Sequence, residues 1–219
     1  MSIFHWDTIR FLLMGLKVTI EVAVLSIIFS FLFGSILGIL RFKKIFIFSK
    51  VLGVIIDVIR NLPLLLIIFF TYFALPQILE IRLNIFWSAV LALTIFESAM
   101  FSEIVRAGLN AVPKGQMEAG LSTGLSSFST LRIILIPQAY RVMIPAMVSQ
   151  FISLIKDTSL AVIISLPEFT HQAQIVYSQD SRAVLPMFTL LAVGYFAICF
   201  ALSQLARFIE KKELYNYSA

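Results

Sequence analysis

Charged residues are scarce in this chain. Asp, Glu, Lys and Arg make up 13% of its 219 residues, against about 25% in a soluble domain. With 60% hydrophobic residues, the apolar surface exceeds what a core of this size can hide, which excludes an ordinary soluble globule. A single cysteine rules out an intrachain disulfide. Cys199 lies inside an apolar run and reads as a small packing or lipid-facing residue. The two histidines, His5 and His171, stand outside the long apolar runs with no second ligand at metal spacing, so no metal site is expected. There is no glycine-rich phosphate loop with its lysine and no nucleophile–base pattern, so the chain is not expected to hydrolyse ATP or to be an enzyme. The net charge of +5 does not point to nucleic acid, because the basic residues cluster in short segments between apolar runs. No cleavable signal peptide is expected, since the first apolar run is too long for one.

What is abundant is long apolar sequence. A helical span needs about 20 predominantly apolar residues. Five such spans are expected, at 12–40, 60–79, 85–111, 133–166 and 183–208, in one all-α membrane domain covering 1–219. Lys17 and Glu21 stand four apart at the start of the first span and can pair on one helix face. Pro63 suits the first turn of the second span, and Pro76 is expected to end it. The fourth span contains Pro137 and Pro145 and then meets Lys156-Asp157, so a helix broken near Asp157 is expected, with Pro145 kinking or restarting it. Trp6, Trp87 and Tyr72 lie near span ends, as interface anchors do.

Orientation follows from Lys and Arg in the connecting loops. Arg41, Lys43, Lys44 and Lys50 lie between the first two spans. Arg106, Lys114 and Arg132 lie between the third and fourth, and Arg207, Lys211 and Lys212 follow the fifth. The alternate loops hold only Arg82, and His171 with Arg182. All the basic-rich segments therefore share one side. The N-terminus is expected outside and the C-terminus in the cytoplasm. The polar stretch 114–132 then faces the cytoplasm and reads as a docking surface for a partner outside the membrane. A chain with so few spans needs further helices to enclose a pathway, so an oligomer is expected.

From that stretch onward, Glu118-Ala119-Gly120 is followed by Gly124 and then, after nine intervening residues, by Ile134-Leu135-Ile136-Pro137. This resembles the EAA motif of ABC importer permeases, with Gly120 and Ile136 as mild departures. The resemblance continues in Arg60-Asn61-Leu62-Pro63-Leu64-Leu65, Glu103-Ile104-Val105-Arg106-Ala107-Gly108, Val112-Pro113-Lys114-Gly115-Gln116, Pro137-Gln138-Ala139-Tyr140-Arg141 with Pro145, Lys156-Asp157-Thr158-Ser159-Leu160, and Glu168. Together these are similar to the polar amino acid permeases of the histidine, glutamine and glutamate type, over about 12–208.

The resemblance implies a permease subunit of an ATP-driven importer in the bacterial cytoplasmic (inner) membrane. Its expected partners are two ABC ATPase subunits, a second permease chain, an external amino-acid-binding protein and a polar amino acid. ATP and magnesium would belong to the ATPase, with no cofactor in this chain. Glu118, Ala119, Gly120, Gly124 and Pro137 are the expected coupling residues, in two short helices seated in an ATPase cleft. The alternative is an ATP-independent secondary transporter or channel subunit.

Substrate contacts are sought among polar groups inside the spans, which are costly in hydrocarbon and mark pathways. Glu97 lies mid-span with Ser98 beside it; it could meet a substrate ammonium or pair with a partner chain. Asp157, Thr158 and Ser159 sit at the expected helix break, where together they could bind substrate, or Asp157 or Thr158 could cap the segment that follows. Glu103 is expected to pair with Arg106 or across helices. A cationic or neutral amino acid such as arginine, histidine or glutamine fits these carboxylates.

Overall fold

A computed structural model describes residues 5–43 and 46–215; side chains at 46 and 209–215 are not described. Lys44 of the first basic loop and the side chains of Lys211 and Lys212 thus lie outside the described residues. Among the described residues there are helices and turns and no strand. Four helical runs are long and apolar enough to cross a membrane: Trp6–Phe42, Ile85–Ala111, Ser127–Ile164 and Ser181–Phe208. A fifth candidate is a bent pair, Ile47–Asn61 with Leu64–Leu79, whose axes meet at 104°.

The first helix, α1 (Trp6–Phe42), packs along α5 (Ile85–Ala111). Its buried face carries Gly15, Thr19, Ser26, Ser30, Gly34 and Gly38, nearly all at steps of three or four. In lipid, where helices gain little from hydrophobicity, such small residues let backbones approach and gain dispersion contacts. A Cβ on Gly34 would lie 3.0 Å from the Ser98 carbonyl oxygen, and one on Gly38 would lie 2.6 Å from that of Ser102. Phe101 of α5 fills the next layer, edge-on to Phe31 at 5.5 Å and stacked on Phe151 at 5.3 Å. These contacts make α5 the central helix, with α1 on one side and the helix Ile136–Asp157 on another.

Between α1 and the second expected span the sequence reading has a basic loop. The structure has a helix there, α2 (Phe46–Asn61). Pro63 is the N-cap of α3 (Leu64–Phe69) rather than a first-turn residue. The chain then passes through a π-helical turn, Phe70–Ala74, into α4 (Leu75–Leu79). Pro76 is accommodated at the start of α4, and the span ends instead at Glu80, whose φ of 54° is left-handed. The expected Lys17–Glu21 pair forms at 3.6 Å on an exposed surface, where such pairs contribute little.

After α5 come α6 (Lys114–Ser122) and α7 (Ser127–Thr130), then a π-helical turn, Leu131–Leu135, and α8 (Ile136–Asp157). The helix does not break at Asp157. It tightens directly into a 3₁₀ turn, Thr158–Ile164, and stops at Ser165, where φ is 61°. A 3₁₀ turn continues the hydrogen-bond ladder with shorter steps, so no free backbone groups are released. Pro145 sits inside an unbroken α8 and does not restart it.

Helix α9 (Phe169–Gln179) lies between this turn and α10 (Val184–Tyr215). Its N-cap is the buried Glu168, whose carboxylate accepts from the Thr170 and His171 amides at 2.9 and 2.7 Å and from the Tyr195 hydroxyl at 3.0 Å. Thr19 of α1 adds its hydroxyl at 3.5 Å and accepts from the Phe169 amide. One carboxylate therefore ties together α1, α9 and α10. Burial pushes Glu168 above the ordinary carboxylate range, while the Thr170 and His171 amides and the Tyr195 hydroxyl pull it back.

Candidate functional site

The segment 114–132 folds as a small platform, α6 followed by α7, and the two glycines of its motif each have a local reason. Helix α6 ends in a Schellman turn: the Leu125 amide donates to Gly120 O at 3.2 Å and the Gly124 amide to Leu121 O at 3.0 Å. That turn needs a left-handed residue, and Gly124 has φ 85°. Gly120 is buried against the chain's own α7 segment. A Cβ there would collide with Thr130 Cγ2 and meet Ile134 Cδ1 at 3.0 Å. So the spacing from Gly120 to Ile134 is fixed by the crossing of α6 over the following turn. Glu118 and Ala119 remain exposed, as do Leu121 and Phe128.

The platform is fastened to the long helices at two further points. Gln138 of α8 donates through Nε2 to Gln116 Oε1 of α6 at 3.3 Å and to Ile134 O at 3.0 Å. Lys43, at the end of α1, stands 5.4 Å from the Phe128 ring centroid. Pro137 is exposed at the start of α8, after the π-helical turn.

A second constellation joins α1, α2 and α5. Glu103 takes a two-pronged contact from Arg106, at 2.7 and 2.8 Å, and a hydrogen bond from Arg41 Nη1 at 2.6 Å. Arg60 approaches it to 3.7 Å, and Asp57 lies 3.8 Å from both Arg41 and Arg60. The Glu103–Arg106 pair is legible in the sequence as neighbours three apart on a helix. The contributions of Arg41, Asp57 and Arg60 are not.

The third constellation is inside the spans. Glu97 is fully buried within the chain. Its Oε2 accepts from Gln150 Nε2 of α8 at 2.9 Å, and its Oε1 has no hydrogen-bond partner among the described residues. The hydroxyls of Thr94 and Ser98, on adjoining turns of α5, are also buried with no hydrogen-bond partner among the described residues. Asp157 is half-buried and within electrostatic range of Glu97. Thr158 and Ser159 are not free to cap: their hydroxyls donate backwards, to Ile155 O and Lys156 O, both at 2.7 Å. Asp157 makes no side-chain cap bond either. The structure thus brings Glu97 together with Gln150, sets Ser98 and Asp157 nearby, and leaves Thr158 and Ser159 bonded to their own helix. Gln150 escapes the sequence reading, although a glutamine in mid-span is itself a signal.

The family described as "Binding-protein-dependent transport system inner membrane component" matches residues 30–214. The chain belongs to this family. It is 54% identical over 212 residues to a probable glutamine ABC transporter permease protein of Bacillus subtilis (strain 168), covering 96% of this chain and 94% of the relative. It is 36% identical over 208 residues to the glutamine transport system permease protein of Escherichia coli (strain K12), covering 94% of each. An L-cystine transport system permease protein of Bacillus subtilis (strain 168) is 37% identical, over 90% of this chain and 84% of its own. The fold superposes on a crystal structure of an amino acid ABC transporter with histidines at a TM-score of 0.85 and 29% identity, covering 97% of this chain and all of that one. A methionine ABC transporter in an inward-facing conformation shares the fold at a TM-score of 0.75 and 18% identity, covering 93% and 98%. This is therefore an all-helical permease of the ABC importer fold.

Proposed function

We propose that this chain is the permease subunit of an ATP-driven importer for a polar amino acid, neutral or cationic. Glutamine is the first to test, given the name of the 54%-identical relative; histidine and arginine come next. It works in the bacterial cytoplasmic membrane as a multi-pass protein with its N-terminus outside. Its partners are two ATPase chains, a second permease chain and an external binding protein, and ATP and magnesium reside on the ATPase.

The observation that carries this reading is the α6–α7 platform. It leaves Glu118, Ala119, Leu121 and Phe128 exposed, yet its back is locked to the spans through Gly120, Gln116 and Lys43. Such a surface can receive a partner and pass its motion on as a rigid body. Glu118, Ala119, Gly120 and Gly124 in segment 114–132, with Pro137 at the start of α8, make up or support this coupling surface. In the membrane, Glu97 keeps an oxygen that Gln150 does not use, buried in this conformation and reachable by substrate only when the helices rearrange, and Ser98, Asp157, Thr158 and Ser159 complete the proposed substrate region. A carboxylate in low dielectric is a fitting partner for a substrate ammonium group.

Reconstitution of the complex in proteoliposomes tests both parts. Glu118→Lys is expected to weaken ATPase copurification and abolish ATP-dependent uptake; normal copurification and uptake would remove the docking assignment. Glu97→Gln is expected to lower uptake while leaving the complex intact, and unchanged uptake of glutamine, histidine and arginine alike would remove Glu97 from the site.

A further inference from the structure

Helix α2 has three faces. Gly53 and Ile56 are buried against the protein, with Ser49, Leu52, Ile59 and Arg60 partly covered beside them. Ile47, Phe48, Val51, Val54, Ile55, Val58 and, just beyond the helix, Leu62 are all 42–65% exposed. At 3.6 residues per turn these seven fall within an arc of roughly 120°. Lys50, Asp57 and Asn61 are exposed too, and they form a separate row about 100° away from the middle of the apolar arc. An ordinary helix on a soluble surface lacks the apolar row, and a helix passing through lipid lacks a polar row along its length.

The bend fixes how α2 lies. Its axis meets that of Leu64–Leu79 at 104°, so the two cannot both run along the membrane normal. Leu64–Leu79 contains no charged residue and packs its buried Leu64, Ile67 and Ile68 into the core with Val90 and Leu93. It is the member that enters the bilayer. With that helix upright, α2 lies close to the membrane plane. Its height is set by the charged cluster. Asp57 reaches Arg41, next to the end of α1, and Arg60 reaches Glu103, two turns before the end of α5. Gly53 sits against the Arg41 guanidinium, 3.4 Å from its ideal Cβ position.

We propose that α2 lies in the plane of the bilayer at the headgroup–acyl boundary of the leaflet where α1 ends, with the row from Ile47 to Leu62 immersed in acyl chains. The lipid surface is its partner. Lys50, Asp57 and Asn61 then face headgroups and water, and the third face seats on α1 and α5. An amphipathic helix in this position has its apolar face about 5–10 Å below the headgroup level. The inference requires only that the chain is embedded in a membrane, and it holds whichever solute is moved.

Site-directed spin labelling of the full assembly in lipid nanodiscs tests it. In a Cys199→Ala background, single cysteines replace Ile47, Val51, Val54 and Val58 in turn, each carrying a nitroxide. Depth is read from the ratio of oxygen to aqueous nickel-chelate accessibility. The expected result is one common shallow depth at all four positions, with a label at Asn61 open to the nickel reagent. A depth that changes steadily, by roughly 16 Å from 47 to 58, would mean that α2 spans and would overturn the proposal. Labels shielded from both reagents, with dipolar broadening between copies, would overturn it in favour of a face covered by a second copy of this chain. Labels open to the nickel reagent at all four positions would place α2 in water and overturn it as well.

Discussion

Removing the charge of Glu103 is the sharpest test of how the charged cluster holds this end of the molecule together. Its side chain is 18% exposed and that of Arg41 is 14% exposed, so both are largely shielded from water. Three arginines meet two carboxylates, and Glu103 touches all three. In Glu103→Gln, Asp57 alone is left to balance Arg41, Arg60 and Arg106. At an effective dielectric of 20, a unit pair at 4 Å is worth about 4 kcal/mol before relaxation. Removing one partner from a mostly buried pair costs about 3 kcal/mol net, chiefly because the remaining charges stay desolvated without compensation.

The assay is equilibrium unfolding of the purified chain in mixed micelles, with amide exchange as a second readout. Glu103→Gln is expected to lose about 3 kcal/mol. It should also raise exchange across α2, whose Asp57 and Arg60 have lost their anchor, while α10 stays unchanged. Arg41→Met in the Glu103→Gln background should recover part of the loss, with a coupling energy of about 1–3 kcal/mol. A loss below about 0.5 kcal/mol, with α2 exchange unaltered, would refute the reasoning, because it would put this cluster with the exposed ion pairs.

Three other outcomes follow from the packing and capping. Gly38→Val would drive a side chain to within 2.6 Å of Ser102 O, and the overpacking should cost about 1–3 kcal/mol in the same unfolding assay. Gly124→Ala places a Cβ on a residue with φ 85°; it should cost about 1 kcal/mol and raise amide exchange at Gly124 and Leu125 without changing the spans. Glu168 titrates above its ordinary value of 4.5 because it is buried. The acid is thus favoured in the fold, and this contribution is present below pH 4.5 and fades as pH rises through the folded value. Glu168→Gln should cost about 1 kcal/mol for the weakened cap, and its deficit against the parent should be greatest in acid and shrink as pH rises.

The spans are legible because hydrocarbon length and scarcity of charge leave few alternatives. Helix α2 is hidden for the opposite reason. Lys50, Asp57 and Arg60 mark the region as a charged connection and mask the apolar repeat of Ile47, Val51, Val54 and Val58 beneath them. The expected break at Asp157 fails because a charged pair usually ends a span, whereas here the helix tightens and carries Lys156 and Asp157 onward. Pairs close in sequence, such as Glu103–Arg106, can be read from spacing. Glu97–Gln150 and Arg41–Glu103, 53 and 62 residues apart, depend on helix packing that no local pattern encodes. The smallness of Gly120 and Gly124 suggests room for a partner; the fold itself uses it, for a helix crossing and a left-handed turn.

Helix α8 links the platform to the intramembrane polar site. Gln138 at its start is bonded to α6, and Gln150 further along it is bonded to Glu97. The two glutamines are about 18 Å apart along the axis, and the helix between them is continuous through Pro145. A continuous helix cannot absorb a shift at one end without moving the other. Against α5, Met143 fills the space that Gly108 leaves, so sliding there is resisted by close packing. A force on the exposed Glu118 surface would therefore either rotate α8 together with α5 or shear the two. Only the shear would separate Gln150 from Glu97 and free the second carboxylate oxygen. Gln150→Leu separates the cases. If α5 and α8 move together, the variant leaves uptake unchanged at saturating substrate. If they shear, it removes a bond that forms and breaks in each cycle, and the maximal rate changes while ATPase binding does not.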